Sequence, residues 1–347
     1  QSFLKAFEVS NPQIEFKYIS ISDSKKRIAA LVLLQVISLN VEGMLKNIKV
    51  GPLLRKGLGL LFCNEHIKIM FCGNVFLSGE HGIITADNNS QKEVYYEIGR
   101  AIDAVAANIK PMHAIFIKDF KLASLNYTRQ FLTFGYSEIK VEPNMIIKLK
   151  PEWKSFEDYK DVLKSKYRIK ANKADSVSST LETRLFSNQD FVTYKHELQA
   201  LYQNTIDKAS FNAQVLNLNT YGCLSTSIKN DFIVKGYFLE NRLVGFLTAL
   251  VNDNKLDAHF IGLDYDLNKS HSIYPRILND YIRIGIKKQV SSINLGRTAS
   301  EIKTTIGANP LNLSCYIKHK NPFFNMLIRP FLKRIKIKEF KQHSPFK

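Results

Sequence analysis

The sequence predicts an α/β (α+β) protein made of two tandem domains related by internal duplication. Each is expected to be a mixed, mostly antiparallel sheet flanked by helices. Three observations lead there. Apolar runs of strand length, Ile28 to Leu39 above all, alternate with segments of helical spacing. The order hairpin, helix, strand, helix, strand occurs twice along the chain. Both occurrences also end alike, with Phe134-Gly135-Tyr136 before one last strand and Ile306-Gly307-Ala308 before the other. The spacing between matches is uneven, which fits a duplicated domain with insertions rather than a solenoid. The expected division is residues 1–150, residues 151–320, and a tail at 321–347.

In order, Glu15 to Ile21 alternates and is rich in β-formers, Ser22-Asp23-Ser24-Lys25 is a turn, and Arg27 to Leu39 is a long apolar strand, so the first element is a hairpin. Residues 40–88 carry Gly51-Pro52, the run Lys56-Gly57-Leu58-Gly59, and a polar, glycine-rich block from Cys72 to Gly82. Ser90 to Lys110 has helical spacing through Val94, Ile98, Ile102, Val105 and Ile109. Ala114 to Phe120 reads as a buried strand, Leu122 to Phe134 as a helix closed by Gly135, and Glu138 to Leu149 as a strand. Pro151-Glu152-Trp153 marks the boundary, followed by a charged helix from Phe156 to Ala174. A strand at Thr180 to Phe186 and helices over Asp190–Asp207 and Asn212–Lys229 come next. A second hairpin spans Phe232 to Val251 around Glu240-Asn241. Leu256 to Leu263 adds a strand, Ser270 to Lys288 a helix, and Ser292 to Leu295 a strand.

Composition narrows the partners. A hydrophobic fraction of 45% and a charged fraction of 23% in 347 residues are ordinary for a chain with a real core. The net charge of +18 is not, and predicts an anionic partner: a phosphate-bearing co-substrate, a nucleic acid or an acidic membrane surface. Cys63, Cys72, Cys223 and Cys315 lie far apart without CxxC pairing, which argues against a zinc site and a disulfide framework and for a reducing compartment. No metal is expected. No secretory signal is visible, the abrupt opening at Gln1 leads us to expect a few missing leading residues, and the longest apolar run is too short to span a bilayer. The tail sets Phe324, Leu327, Ile328, Phe331, Leu332 and Ile335 at helical spacing among Arg329, Lys333, Arg334, Lys336, Lys338 and Lys341. Such a segment suits an anionic membrane interface, or a docked terminal helix with a solvated basic face. The expected location is the cytoplasm, with peripheral contact to the inner face of a membrane.

The densest polar stretch is Asn294 to Pro310. It reads as a buried strand that breaks at Gly296 and enters a short helix stopped by Gly307 and Pro310. An arginine, hydroxyls, a carboxylate and an ammonium fall within seven residues at the carboxyl end of a strand, where ligands sit in open α/β sheets. The purely structural account is a capped surface helix with Thr298 as N-cap and Glu301 as its capping-box partner.

These residues carry a family resemblance. Leu295-Gly296, Ile302-Lys303 and Ile306-Gly307, after a duplicated hairpin–helix core, resemble the close of the tandem GNAT-type acyltransferases, including the Fem peptidyltransferase-like group and related bacterial lipid N-acyltransferases. The basic helix Lys166-Tyr167-Arg168-Ile169-Lys170-Ala171-Asn172-Lys173-Ala174, after Trp153, Phe156 and Tyr159, is similar to the family's inter-domain helix. So is Tyr202-Gln203-Asn204-Thr205, and Tyr202 is taken as a substrate contact on that basis. The resemblance runs from about residue 15 to 320. One departure stands out: Gly262 to Ser270, where CoA-dependent members carry repeated glycines around the pyrophosphate, has no such repeat.

The resemblance implies acyl transfer to a primary amine, which needs a proton acceptor and donors aimed at the oxyanion. Lys303 is the first catalytic candidate, against the default of a surface lysine. Glu301, His259 and Asp257 are candidates for the base; Asp257 and His259 share a strand face by the two-residue period, where a hydrogen-bonded, half-buried histidine is the plainer account. Arg297 with Thr298 at the helix entrance, and Arg168, Lys170 and Lys173 on the basic helix, are candidates for a co-substrate phosphate, although a charge run is usually a solvated face. Asn74, Glu80 and His81 form a candidate substrate loop or a structural turn. The expected donor is an acyl-CoA or an acyl carrier protein thioester, not a tightly bound cofactor, and the expected acceptor an amine of a lipid or envelope precursor. Aminoacyl transfer from tRNA is the alternative, a non-catalytic binding module the third reading, and DNA is not among the expected partners.

Overall fold

The computed structural model describes residues 2–40, 66–86, 90–209, 213–332, 334 and 337–347. The predicted Gly51-Pro52 and Lys56–Gly59 features and Cys63 lie outside the described residues.

The first half contains α1 (Ser2–Ser10), the hairpin β1 (Glu15–Ser22) and β2 (Ile28–Asn40), β3 (His66–Cys72), β4 (Ile83–Thr85), α2 (Gln91–Ala107), β5 (Ala114–Lys121), α3 (Leu125–Thr128) and β6 (Ser137–Lys148). The second contains α4 (Phe156–Asp161), α5 (Ser165–Val177), β7 (Glu182–Leu185), α6 (Asn188–Thr193), α7 (Lys195–Lys208), α8 (Asn219–Ser227), the hairpin β8 (Phe232–Leu239) and β9 (Arg242–Asn252), β10 (Lys255–Leu263), α9 (Tyr265–His271), α10 (Ile273–Lys287), β11 (Ser292–Asn294), α11 (Ser300–Thr304) and β12 (Asn309–His319). α12 (Pro322–Leu332) follows.

Four predicted helices are broken. Asp190–Asp207 divides into α6 and α7 at Tyr194, whose φ of −104° and ψ of +23° leave the helical region. The other three break for local reasons. Leu122–Phe134 is two 3₁₀ turns around α3, tightening as helix ends often do. Phe156–Ala174 divides into α4 and α5 where Leu163 bridges Phe346 and the Lys164 amide donates to the Pro345 carbonyl, so the returning C-terminus takes up groups a continuous helix would use. Ser270–Lys288 starts earlier, behind an Asp264 cap, and breaks at Ser272, whose φ is +48°.

The strands form one sheet in the order β1-β2-β3-β5-β12-β6-β11-β10-β9-β8-β7, with β4 added on β2. The ranges 1–150 and 151–320 are therefore not two separate sheets: each half completes itself with the other's last strand. β12 runs antiparallel between β5 and β6, and β6 lies antiparallel between β12 and β11. Without the exchange, β5 and β11 would present bare edges. Gly135 (φ +84°) and Gly307 (φ +95°) adopt the left-handed turn at equivalent points, just before β6 and β12. The matching ends seen in the sequence are matching turns.

Three apolar clusters sit on the sheet. One packs α2 against the first half, centred on Ile98, Ile102 and Phe131. Another packs α10 against the second, with Ile277, Tyr281 and Ile293. The third joins the halves, setting Phe7, Ile37 and Phe71 against Leu201, Tyr202 and Phe246. A core shared this way does not permit the halves to move as independent bodies. The tail is not a separate segment either, because Phe346 packs on Trp153 and Tyr159 at ring distances of 5.8 and 6.2 Å.

Candidate functional site

β10 and β11 are parallel and pair only from Lys255–Ser292 to Asp257–Asn294. Beyond that pair β11 ends and the chain turns at Gly296, φ +68°. β10 continues to Leu263, with a bulge against β9 between Ala258 and Ile261. The two strands part, and a cleft of about 540 Å³ opens between them. One wall is β10 from Asp257 to Leu263; the other is Asn294 to Ala299 with Lys303. Tyr274, Leu278 and Tyr281 of α10 close one side, and Val75 to Ser78, His81 and Lys118 of the first half close another. The cleft thus belongs to both halves.

Lys303 lies on its wall, 5% exposed. Its Nζ donates to the carbonyl oxygens of Arg297 (2.6 Å), Leu295 (2.7 Å) and Gly296 (3.4 Å). Burial pulls its pKa down to about 7, while the charge of Glu142 works in the opposite direction. The ammonium shapes the turn, and its donors are directed at the backbone rather than at the open cleft.

Asp257 is half-buried at the cleft's root, where its carboxylate accepts from Asn294 Nδ2 at 2.8 Å. Asn294 also accepts from the Gly296 amide at 3.0 Å and reaches the Ser78 carbonyl at 3.5 Å. Asn144 and Ser78 add a side-chain bond of 2.8 Å. Asp257 and His259 do not form the expected pair. The bulge interrupts the two-residue alternation, and His259 Nε2 donates to the Phe76 carbonyl at 3.2 Å. Burial among Phe7, Tyr221 and Phe260 lowers the imidazole pKa to about 4, leaving it neutral and a weak base at pH 7.

Arg297 lines the cleft and is paired with Asp119 of β5, which is wholly buried. Asp119 also accepts from the Gly79 amide at 3.0 Å and lies 3.3 Å from Lys118 Nζ. Burial pushes this carboxyl up, but Lys118, Arg297 and the amide outweigh it and hold it below the usual carboxylate range. The arginine expected to meet a phosphate is thus occupied by a carboxylate from the other half.

The remaining candidates are dispersed. Thr298 lines the cleft, but its φ of +62° and that of Ala299, +46°, remove the N-cap geometry; Ala299 is the N-cap, without a side-chain bond, so the Thr298–Glu301 capping box does not form. Glu301 faces another cavity, of about 500 Å³, with Lys170 and Lys173, and contacts His343 Nε2 at 3.4 Å. Arg168 lines neither cavity, though it shares α5 with those lysines. Asn74 is buried, with Oδ1 accepting from the Phe76 amide at 2.9 Å. Glu80 points into a hollow of about 180 Å³ in the first half and accepts from the Lys121 amide at 3.0 Å, while His81 reaches the main cleft. Tyr202 is fully buried core, its hydroxyl accepting from the Leu216 amide at 3.3 Å. It is not a cleft residue. Sequence reasoning missed Asp119, Lys118, Asn294 and Ser78, which meet only through long-range pairing. It also missed Asp264, whose carboxylate caps its own helix α9 by accepting from the Asp266 (3.1 Å) and Leu267 (3.2 Å) amides and pairs with Arg242 at 2.5 Å. Among the described residues, no group of three or more metal-ligating side chains converges.

No family model and no curated protein sequence matches the chain. Solved structures do. The fold is similar to that of FemX, with a TM-score of 0.58 at 9% identity over 94% of this chain and 93% of that one. It is similar to the structure of L-PGS from Bacillus licheniformis, with a TM-score of 0.53 at 10% identity over 96% and 93%. A tandem GNAT protein from the clavulanic acid biosynthesis pathway gives 0.50 at 7% identity over 91% and 88%. At these identities the likeness is one of fold: two GNAT-like units in tandem, as the sequence predicted.

Proposed function

We propose that the chain is an N-acyltransferase that moves an acyl group from a thioester to a primary amine in the cleft where β10 and β11 part. The observation that carries the reading is the side of β10 away from β9, which among the described residues pairs with no strand beyond Asp257 and faces a cleft bearing that carboxylate and Lys303. An extended arm with amide groups, such as pantetheine, can hydrogen-bond along such an edge as an added strand would. The amine nitrogen attacks the thioester carbonyl, the new C–N bond creates an oxyanion, and its collapse breaks the C–S bond. The amine's proton passes to Asp257, directly or through a water, and the departing thiolate is protonated in turn. Lys303 fixes the opposite wall by holding the Leu295 and Arg297 carbonyls, and its positive charge lies beside the cleft.

A misfit supports one donor over the other. A pyrophosphate is poorly served at the start of α9, because the Asp264 carboxylate, itself paired with Arg242, already accepts from the Asp266 and Leu267 amides. We therefore read the donor as an acyl carrier protein, whose single phosphate stays at the cleft mouth and whose acidic surface matches a net charge of +18. The acceptor is read as the amine of a lipid or envelope precursor.

Purified protein would be given matched acyl carrier protein, acyl-CoA and aminoacyl-tRNA donors with amine acceptors, and amide followed by mass spectrometry. Amide from the carrier protein, at rates well above those from CoA, is expected. Thioester consumption without amide would overturn the reading. Amide from tRNA alone would transfer it to aminoacyl transfer, the alternative supported by the likeness to FemX. No product from any donor would leave a binding module.

A further inference from the structure

Helix α12 carries apolar side chains inward, where Phe324, Ile328 and Leu332 are half-buried, and outward as well. Its inward side is held by polar groups: Asn325 Nδ2 donates to the Gly135 carbonyl at 2.9 Å, Asn325 Oδ1 accepts from the His319 amide at 3.0 Å, and Arg329 donates to the same Gly135 carbonyl at 3.0 Å. Its outward side is apolar. Phe323 is 59% exposed, Met326 60%, Leu327 44% and Phe331 58%. A helix on a water-soluble surface turns polar side chains outward, and four large apolar side chains in one exposed stripe need a cover.

We propose that this face docks the protein on an anionic lipid surface, with α12 lying flat in the headgroup region. Charge identifies the occupant. No Asp or Glu occurs from Lys320 to Lys338, while Arg329, Arg334 and Lys338 are exposed on or just beyond the helix. A cationic rim around an apolar stripe matches acidic headgroups above acyl chains. A second copy of the chain is a poorer cover, since an isologous contact would set two cationic rims against each other. Eleven residues of helix, about 16 Å long, lie on a bilayer rather than cross it, and no helix among the described residues is long and apolar enough to cross. The proposal is independent of the transfer reaction.

The test is co-sedimentation of the whole chain with phosphatidylglycerol–phosphatidylcholine vesicles and with phosphatidylcholine vesicles at low salt. The comparison variants are Phe323→Ser/Phe331→Ser and Arg334→Glu/Lys338→Glu; all four positions are exposed, and unchanged thermal unfolding would certify the fold. Binding at least about tenfold stronger to the anionic vesicles is expected, weakened at least about tenfold by either pair of changes. Wild-type protein that does not bind anionic vesicles, or binding that survives Phe323→Ser/Phe331→Ser, would overturn it. So would light scattering that finds a dimer dissolved by the same variant, which would assign the face to a second copy.

Discussion

Two parallel strand pairs occupy equivalent places in the two halves, and they end differently. In the first half β3 and β5 pair from Ile69–Ala114 to Cys72–Ile117. The chain leaving β3 then doubles back, and Lys118 gathers it by donating to the carbonyls of Asn74 (2.7 Å) and Leu77 (2.5 Å). What is left beside it is a polar hollow of about 180 Å³. In the second half the lysine sits on α11 and gathers the exit of β11 instead, so the space beside β10 stays free and the cleft is about 540 Å³. One device, a buried ammonium held by carbonyl oxygens, fills the first opening and frames the second. Which strand's exit loop it collects makes the difference.

The contact most able to break this comparison is the one that joins its two sides. Asp119 is buried against Lys118 and Arg297, so Asp119→Ala leaves buried cations without their partner and is expected to cost about 3–5 kcal/mol. Urea unfolding measures it, and a loss below about 1 kcal/mol would mean that the halves are not tied there. The two lysines separate next. Lys303→Met, which frees the Leu295–Arg297 turn that walls the cleft, is expected to lower the rate of amide formation by about 10²-fold. Lys118→Met, with a similar stability loss of about 1–3 kcal/mol from unpaired carbonyls, is expected to lower it less than about tenfold. Equal rate losses would erase the distinction between a filled and an open site.

The sequence disclosed what local signals encode. The apolar run of β2, the two hairpins and the glycine stops at 135 and 307 all depend on neighbours a few residues away, and so does the polar density around Lys303 at the end of β11. The strand exchange was hidden because β6 and β12 would carry the same apolar alternation whichever half they joined. Asp119 was hidden too. In Phe116-Ile117-Lys118-Asp119-Phe120 it has the pattern of an ordinary strand position, and its partner Arg297 is 178 residues away. Thr298 and Glu301 satisfied the capping-box spacing, yet the turn gives its carbonyls to Lys303 and takes positive φ at Thr298 and Ala299 to do so. For β-branched Thr298 that conformation is unfavourable. A spacing rule cannot anticipate such a competing demand.

Acid should soften the open cleft through His259. Its pKa of about 4 in the folded chain lies below the ordinary 6.5, so between those values the unfolded chain binds the proton more readily. Stability from this group is complete above pH 6.5 and declines as pH falls toward 4, by roughly 3 kcal/mol in all. Urea midpoints across that range should slope upward with pH, and His259→Gln should flatten the slope. An unchanged slope would show that the ring accepts protons freely in the folded chain.

The smallest effect is expected at Glu301, and it tests the boundary of the site. Glu301 and Lys303 are two positions apart on α11, which turns them about 200° from one another, and the lysine faces the cleft while the carboxylate is 57% exposed over the other cavity. Its partner His343 is charged only when protonated, and an exposed pair of this kind contributes at most about 1 kcal/mol. Glu301→Gln should therefore change amide formation by less than about twofold and leave the urea midpoint nearly unmoved. A tenfold loss of rate with unchanged stability would extend the working site around α11 to the cavity of Lys170 and Lys173, and α11 would then divide two parts of one binding region instead of bounding it.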